Sequence, residues 1–170
     1  MDLISEHYQT GEKIPDELLQ KAQKARNFQS AMQMVRQLEF SLFDIRIHFE
    51  SRDGQEVDVQ NVLDQVRAEV AVTKVPDFNR FQNGFSHIFA GGYAAGYFSY
   101  KWAEVLSADA FEKFEEDGIF NSETGYAFMQ NILENGGTEN AMTLYENFRG
   151  RKPRIDALLR HTGLAGEEAA

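Results

Sequence analysis

The sequence has no cysteine and only three prolines among its 170 residues. Without cysteine, the chain can form neither a disulfide nor a thiolate metal site, which is typical of a protein in a reducing compartment. It also has no apolar run near the roughly 18 residues that a membrane-spanning helix requires. Its first residues, MDLISEHY, lack the basic and apolar regions of a signal peptide. These absences predict a cytoplasmic protein without a membrane partner.

Positive charge is scarce as well. Lysine and arginine together number 17 against 27 aspartates and glutamates, so the formal net charge is −10 at pH 7. A surface of this sign is repelled by phosphate backbones and by anionic lipids. The composition therefore argues against nucleic acid as a partner.

The common catalytic motifs are missing. The four histidines stand at positions 7, 48, 87 and 161, so no two lie one helical turn apart as in the zinc-binding motif HExxH. There is also no GxxxxGK[ST] phosphate loop, no GxSxG nucleophile turn and no cysteine nucleophile. We therefore expect this chain alone to bind no metal and to cleave no peptide, unless distant histidines converge in space.

The apolar residues that are present recur mainly at helical spacing. Hydrophobic residues make up 42% of the chain, enough for a sizeable core, and no internal repeat or second domain is evident. We predict an all-α, multi-helix array forming a single domain over residues 1–170, with a frayed tail at 165–170. The predicted helices run from about 15 to 24, 27 to 49, 58 to 70, 93 to 117, 123 to 133, 139 to 148 and 154 to 161.

Several capping residues sharpen these boundaries. Asn27 is a candidate N-cap for the second helix, whose apolar residues cover more than half its circumference and predict a largely buried element. Asn121 or Ser122 is expected to cap the fifth, and Gly118 to end the fourth. Charged residues in a mostly buried helix are usually paired. We expect this of the polar residues of the second helix, Arg36, Glu39, Asp44, Arg46 and His48.

The most informative stretch is residues 85–111, FSHIFAGGYAAGYFSYKWAEVLSADAF. Tyr93, Tyr97 and Tyr100 fall at i, i+4 and i+7, which places three phenols on one helical face that Glu104 extends. Gly91 and Gly92 predict a mobile hinge where the chain turns into this helix. Such a stripe is typical either of a core with its hydroxyls bonded or of a binding surface, and periodicity alone does not separate the two.

The sequence of this stretch resembles the C-terminal part of zinc metallopeptidases of the thimet oligopeptidase family. Similar wording recurs in NFQSAMQMVRQLEFSLFDIRIH (27–48), FEEDGIFN (114–121) and FRGRKPRIDALLRHTGL (148–164), so the resemblance covers about residues 4–164. It implies a helical fold, a zinc ion in the complete enzyme and a peptide substrate. It also implies that His87, Tyr93 and Tyr100 face the substrate and stabilise the oxyanion, whereas Tyr97 and Phe98 are left as packing residues.

Two functional hypotheses remain open from the sequence. In the family, HExxH and the third zinc ligand precede the region matched here. The chain would then be the substrate-binding part of a cytoplasmic oligopeptidase whose partner is the missing N-terminal part. Alternatively, it is an autonomous, non-catalytic helical module or complementing subunit derived from the same family. Uncovered apolar faces also predict that the chain alone self-associates.

Overall fold

The computed structural model describes residues 4–165, which contain seven α-helices and no strand. The helices are α1 (Asp16–Arg26), α2 (Ser30–Glu50), α3 (Val59–Val70), α4 (Ser99–Asp117), α5 (Ser122–Phe128), α6 (Ala141–Arg149) and α7 (Asp156–His161). Short 3₁₀ turns lie at Arg52–Gly54, Phe81–Gly84 and Ser86–Ile88, and a π turn at Met129–Leu133 follows α5 directly. The predicted all-α, multi-helix array is therefore confirmed.

Side-chain caps set several helix starts. The carboxylate of Asp58 accepts the N–H of Asn61, and the amide oxygens of Asn121 and Asn140 each accept two N–H groups in the first turns of α5 and α6. These bonds satisfy donors that the helix itself leaves free. Gly118 ends α4 with φ of 106°, a value that favours glycine. The predicted stop and the Asn121 cap are thus confirmed.

The start of α2 differs from the prediction. Asn27 does not cap it; the helix begins at Ser30. The residue before it, Gln29, is left-handed with φ of 55°, and its side chain accepts no N–H of the first turn. The expectation of a largely buried helix is also wrong. Phe43 and Ile47 are buried against α3, but Phe49 is 63% exposed, because α3 covers only one side of this helix. Further apolar side chains stand exposed along α2, namely Met32, Leu38 and Ile45.

The polar residues of α2 are paired, as predicted. Glu39 accepts from Arg36 and from Arg67 of α3 at 2.6 and 3.1 Å. Arg46 forms a two-pronged ion pair with Glu69 at 2.6 and 2.7 Å. This ion pair raises the pKa of Arg46 and lowers that of Glu69. These pairs fix α2 and α3 side by side in one register.

The buried apolar residues form three clusters. One joins α2 and α3 to the 81–88 turns, with Phe85 and Ile88 at its edge. Another joins Val105 and Ala108 of α4 to α7. The third packs Phe148 of α6 and its neighbours against α4. Helix α4 therefore contacts both C-terminal helices, and its first turn follows directly on the segment that leaves the α2–α3 cluster.

A dense ion-pair network ties α4 to the C-terminal helices. The guanidinium of Arg149, buried at the end of α6, bonds Glu112 and Glu116 at 2.7 Å. Arg151 bonds the fully buried carboxylate of Asp109 through two nitrogens at 2.7 and 3.0 Å, and the Tyr145 hydroxyl donates to the same carboxylate. These pairings have no local signal in the sequence, because their members lie 33 to 42 positions apart.

The network also shifts its members' ionisation. Burial alone would raise the pKa of Asp109, but bonds from Arg151 and Tyr145 hold it below its ordinary 3.8. The hydrogen bond from Arg149 lowers the pKa of Glu116 below 4.5. Burial and the Asp109 carboxylate raise the pKa of Tyr145. The carboxylates are therefore more acidic when folded than when unfolded.

This difference predicts acid sensitivity. A carboxylate with a lowered folded pKa stabilises the fold fully above its unfolded pKa and loses that contribution as pH falls through the folded value. With ordinary values of 4.5 and 3.8, the free energy of unfolding should begin to fall below about pH 4.5. Urea denaturation at several pH values measures it. Asp109→Asn should flatten the acid limb, whereas Glu56→Gln in an exposed loop should not, and a stability that holds down to pH 3 would contradict the account.

At the C-terminus, only Ala165 of the predicted frayed tail lies within the described residues, and the fraying stays a prediction. The N–H groups of Leu164 and Ala165 both donate to the Leu159 carbonyl oxygen, at 2.8 and 3.2 Å. The rest of that prediction, residues 166–170, lies outside the described residues. No helix within residues 4–165 is long and apolar enough to cross a membrane.

Candidate functional site

The tyrosine stripe is built differently from the prediction. Helix α4 begins at Ser99, so only Tyr100 and Glu104 lie on it, and Tyr93 and Tyr97 precede it in a looped segment. Ala95 is left-handed, with φ of 54°, which interrupts any helix running from Tyr93. The loop of residues 93–98 (below, the tyrosine loop) nevertheless returns both of its tyrosines to the start of α4.

The rings of this segment form one cluster. The Tyr93 and Tyr100 rings are stacked with centroids 5.1 Å apart, and Tyr97 meets Tyr100 edge-on at 5.2 Å. The His87 imidazole lies 6.0 Å from the Tyr93 ring and 6.5 Å from the Tyr97 ring. The structure thus brings together the three residues singled out by the resemblance, His87, Tyr93 and Tyr100, although the helical reason given for Tyr93 is wrong.

Exposure separates these side chains into two groups. Tyr93 is 37% exposed and Tyr100 40%, and His87 is exposed beside them. Tyr97 is half-buried, packs against the α2–α3 cluster and donates its hydroxyl to Gln37 at 3.0 Å. Phe98, grouped with Tyr97 as a packing residue, is 46% exposed. Two phenols and one imidazole therefore face outward from a base made by Tyr97 and Phe85.

The hydroxyls of Tyr97 and Tyr100 are held in their donor form. The interaction with the Tyr93 hydroxyl raises the pKa of Tyr100, and burial adds to the effect. Burial raises the pKa of Tyr97. A phenol whose pKa lies above its ordinary value keeps its proton at neutral pH and remains a hydrogen-bond donor.

The two glycines of the predicted hinge meet different requirements. A Cβ on Gly91 would lie 2.7 Å from the Cα and 2.8 Å from the carbonyl oxygen of His87, so this glycine permits a close backbone approach. Gly92 has φ of 82° and open space around it. The Ser86 carbonyl oxygen accepts the N–H groups of Ala90 and Gly91 at 2.8 and 2.9 Å. The segment is thus a closed turn in this conformation, and its role as a hinge stays a prediction.

A buried residue that binds the backbone of the tyrosine loop, Asp44, was predicted only to be paired with another charge. Asp44 of α2 has a side chain that is 0% exposed, and its two carboxylate oxygens accept the N–H groups of Ala95 and Tyr97, each at 2.9 Å. Nδ1 of His48 lies 2.9 Å from the same carboxylate. The signal in the sequence was an aspartate inside an apolar helix, but its partners are more than 50 positions away.

The side chains of the described residues do not fit a zinc site. Within residues 4–165, no three His, Asp or Glu side chains are grouped so that they could hold a metal ion. His48 is engaged with Asp44, and His161 lies 3.1 Å from a carboxylate oxygen of Glu115. Both histidines are therefore engaged with carboxylates other than those of a shared metal site.

Comparison with known proteins identifies the family. The sequence profile of Peptidase family M3 matches residues 1–164, and the chain belongs to this family. The resemblance to zinc metallopeptidases of the thimet oligopeptidase family is thereby confirmed, and family M3 is zinc-dependent in general.

Among individual relatives, the chain is 55% identical to oligopeptidase A of Escherichia coli over 163 residues, which is 96% of this chain and 24% of that protein. It is 43% identical to the organellar oligopeptidase A of Arabidopsis thaliana, over 98% of the chain and 22% of that protein. The dipeptidyl carboxypeptidase of Escherichia coli is 38% identical, over 93% and 23%. The chain therefore spans about a quarter of the length of the curated relatives it matches.

Proposed function

We propose that this chain forms the substrate-binding part of a cytoplasmic zinc oligopeptidase that hydrolyses short peptides, with His87, Tyr93 and Tyr100 positioning the peptide. When water attacks a peptide carbonyl, the carbon becomes tetrahedral and its oxygen gains negative charge. Imidazole N–H and phenol O–H groups directed at that oxygen stabilise the charge more strongly than they bind the neutral substrate. In this proposal, the three outward-facing rings stabilise the charge on that oxygen.

The observation that carries the proposal is the joint exposure of these donors. A phenol that served only the core would be turned inward with its hydroxyl bonded, as the Tyr97 hydroxyl is to Gln37. Tyr93 and Tyr100 instead stack on each other and keep more than a third of their surface open. Membership of a peptidase family supplies the class of substrate that such donors would meet.

The proposed roles require no metal contact from this chain. Because the sequence has no HExxH motif, we expect zinc in the complete enzyme and none on this chain alone. The residues proposed here bind and orient the peptide and place donor protons beside its carbonyl oxygen. The remaining partner is then the part of the peptidase that this chain lacks.

A second reading is favoured by apolar side chains near the cluster. Phe89, Phe98 and Trp102 lie near it in the chain and are each about half exposed, and contiguous exposed apolar surface marks interaction sites. The chain would then be a non-catalytic helical module whose partner is another protein. Self-association of the isolated chain remains a prediction under either reading.

A chimera separates the two readings. In it, the matching 163 residues of Escherichia coli oligopeptidase A are replaced by those of this chain. A chimera that folds and cleaves a quenched fluorescent peptide at a rate within about tenfold of the parent supports the substrate-binding role. A folded, zinc-loaded chimera without activity would favour the non-catalytic module.

A further inference from the structure

We propose that Asp44 is the positioning residue of the tyrosine loop: its buried carboxylate, backed by His48, sets the placement of Tyr93 and Tyr100 toward the substrate. The inference rests on the proposed function and names a residue that acts through the backbone rather than on the peptide. It concerns a side chain in α2, outside the segment that carries the three donors.

The burial of this carboxylate requires an explanation. Moving a charged group out of water is strongly unfavourable unless the group is paired and hydrogen-bonded. Asp44 is fully buried, and its partners are two backbone N–H groups of the tyrosine loop and the Nδ1 of His48. The two donors to the carboxylate both belong to the loop, so the loop is what the carboxylate binds.

The loop depends on the carboxylate in turn. Ala95 is left-handed, a conformation that is strained for a non-glycine residue. Its N–H donates to Asp44 Oδ1, which offsets that strain and turns the chain between Tyr93 and Tyr97. The N–H groups of Tyr93 and Gly96 are bonded within the segment itself, by the carbonyl oxygens of His87 and Tyr93, so the bonds to Asp44 are what tie the loop backbone to α2.

The bonds reach the donor rings within a few residues. Tyr93 precedes Ala95 by two positions, and the ring of Tyr97, whose N–H is the second donor to Asp44, contacts the Tyr100 ring at 5.2 Å. His48, which lies against Asp44, also contacts the segment before the tyrosine loop, because its ring centroid lies 6.2 Å from that of Phe89. A shift of the carboxylate would therefore move both phenols.

The first test uses the 170-residue chain and amide hydrogen exchange followed by NMR. In Asp44→Asn, one carboxylate oxygen becomes an NH₂ group that cannot accept a hydrogen bond. The amide of Ala95 or Tyr97, or both, should then exchange at least about tenfold faster, while the amides of Val62 and Leu63 in α3 keep their protection. Unchanged exchange at both loop amides would overturn the proposal.

A matched control separates positioning from stability. Asp109→Asn alters the other fully buried aspartate, which bonds side chains about 13 Å further along α4 from Tyr100. Both variants should lower the melting temperature. Only Asp44→Asn should accelerate exchange in the tyrosine loop below that temperature, and equal acceleration in both would show a merely structural role.

The second test measures turnover in the chimera. A misplacement of about 1 Å can cost up to 10²-fold in rate, so Asp44→Asn should lower kcat by about tenfold or more with KM changed less than about threefold. Asp109→Asn should leave both constants nearly unchanged at a temperature where it is folded. If Tyr100→Phe lowers kcat but Asp44→Asn does not, the positioning role fails alone. If neither variant affects kcat, the proposed function fails as well.

Discussion

Tyr100→Phe in the chimera is expected to lower kcat by about 10²-fold with little change in KM, since one donor to a developing oxyanion is typically worth this much. The substitution keeps the ring, so the stacking on Tyr93 and the edge contact with Tyr97 are preserved. Only the hydroxyl, and with it the donor, is lost. Steady-state kinetics with a quenched fluorescent peptide measures both constants.

The control for this variant is Tyr126→Phe. Tyr126 in α5 is also exposed, and its hydroxyl accepts a hydrogen bond from Gln130 rather than facing the ring cluster. Removing that hydroxyl should leave kcat and KM unchanged. If Tyr100→Phe behaves like Tyr126→Phe and lowers only the melting temperature, the tyrosine cluster is a packing feature.

Gly91→Ala is expected to be the most damaging single methyl addition in this segment. The new Cβ would lie within 2.8 Å of the Cα and carbonyl oxygen of His87, so the backbone that carries the imidazole must move. Because a displaced donor loses its alignment, kcat/KM in the chimera should fall by about 10- to 100-fold. Peptide assays, with circular dichroism to confirm folding, measure the effect.

Two other glycines of this region serve as controls for Gly91→Ala. Gly84→Ala adds a methyl group to open space without a positive φ, so it should change neither stability nor turnover. Gly92→Ala meets no atoms but retains φ of 82°, which should cost about 1 kcal/mol of stability. A loss of turnover in Gly84→Ala as large as in Gly91→Ala would show that the close approach to His87 is not the cause.

Local signals in the sequence predicted the helices well. Asn121 and Gly118 act within two or three residues of themselves, so their effects can be read from the adjacent sequence. The burial of α2 was overestimated because periodicity reports which residues are apolar, not which face a neighbour covers. The exposed Phe49 and the buried Phe43 have the same side chain in the same helix.

The residues of the site were predicted, but the way the chain brings them together was not. The resemblance singled out His87, Tyr93 and Tyr100, and helical spacing suggested that both tyrosines share one helix. The spacing was misleading because Ala95 donates its N–H to Asp44, 51 positions earlier in the chain, and takes a left-handed conformation. Bonds between such distant residues leave no periodic pattern, and the ion pairs of Arg149 and Arg151 escaped prediction for the same reason.

The most direct test of the central claim is photo-crosslinking of a peptide in the chimera. A short peptide that carries benzoylphenylalanine is irradiated with the enzyme, and the product is digested with trypsin and mapped by mass spectrometry. Trypsin releases residues 81–101 as one fragment containing His87, Tyr93 and Tyr100, since no lysine or arginine lies between Arg80 and Lys101. Among the tryptic fragments of the present chain, we expect this fragment to carry the label. Excess unlabelled peptide should prevent the labelling. Label confined to α1, α6 or α7 would contradict this expectation.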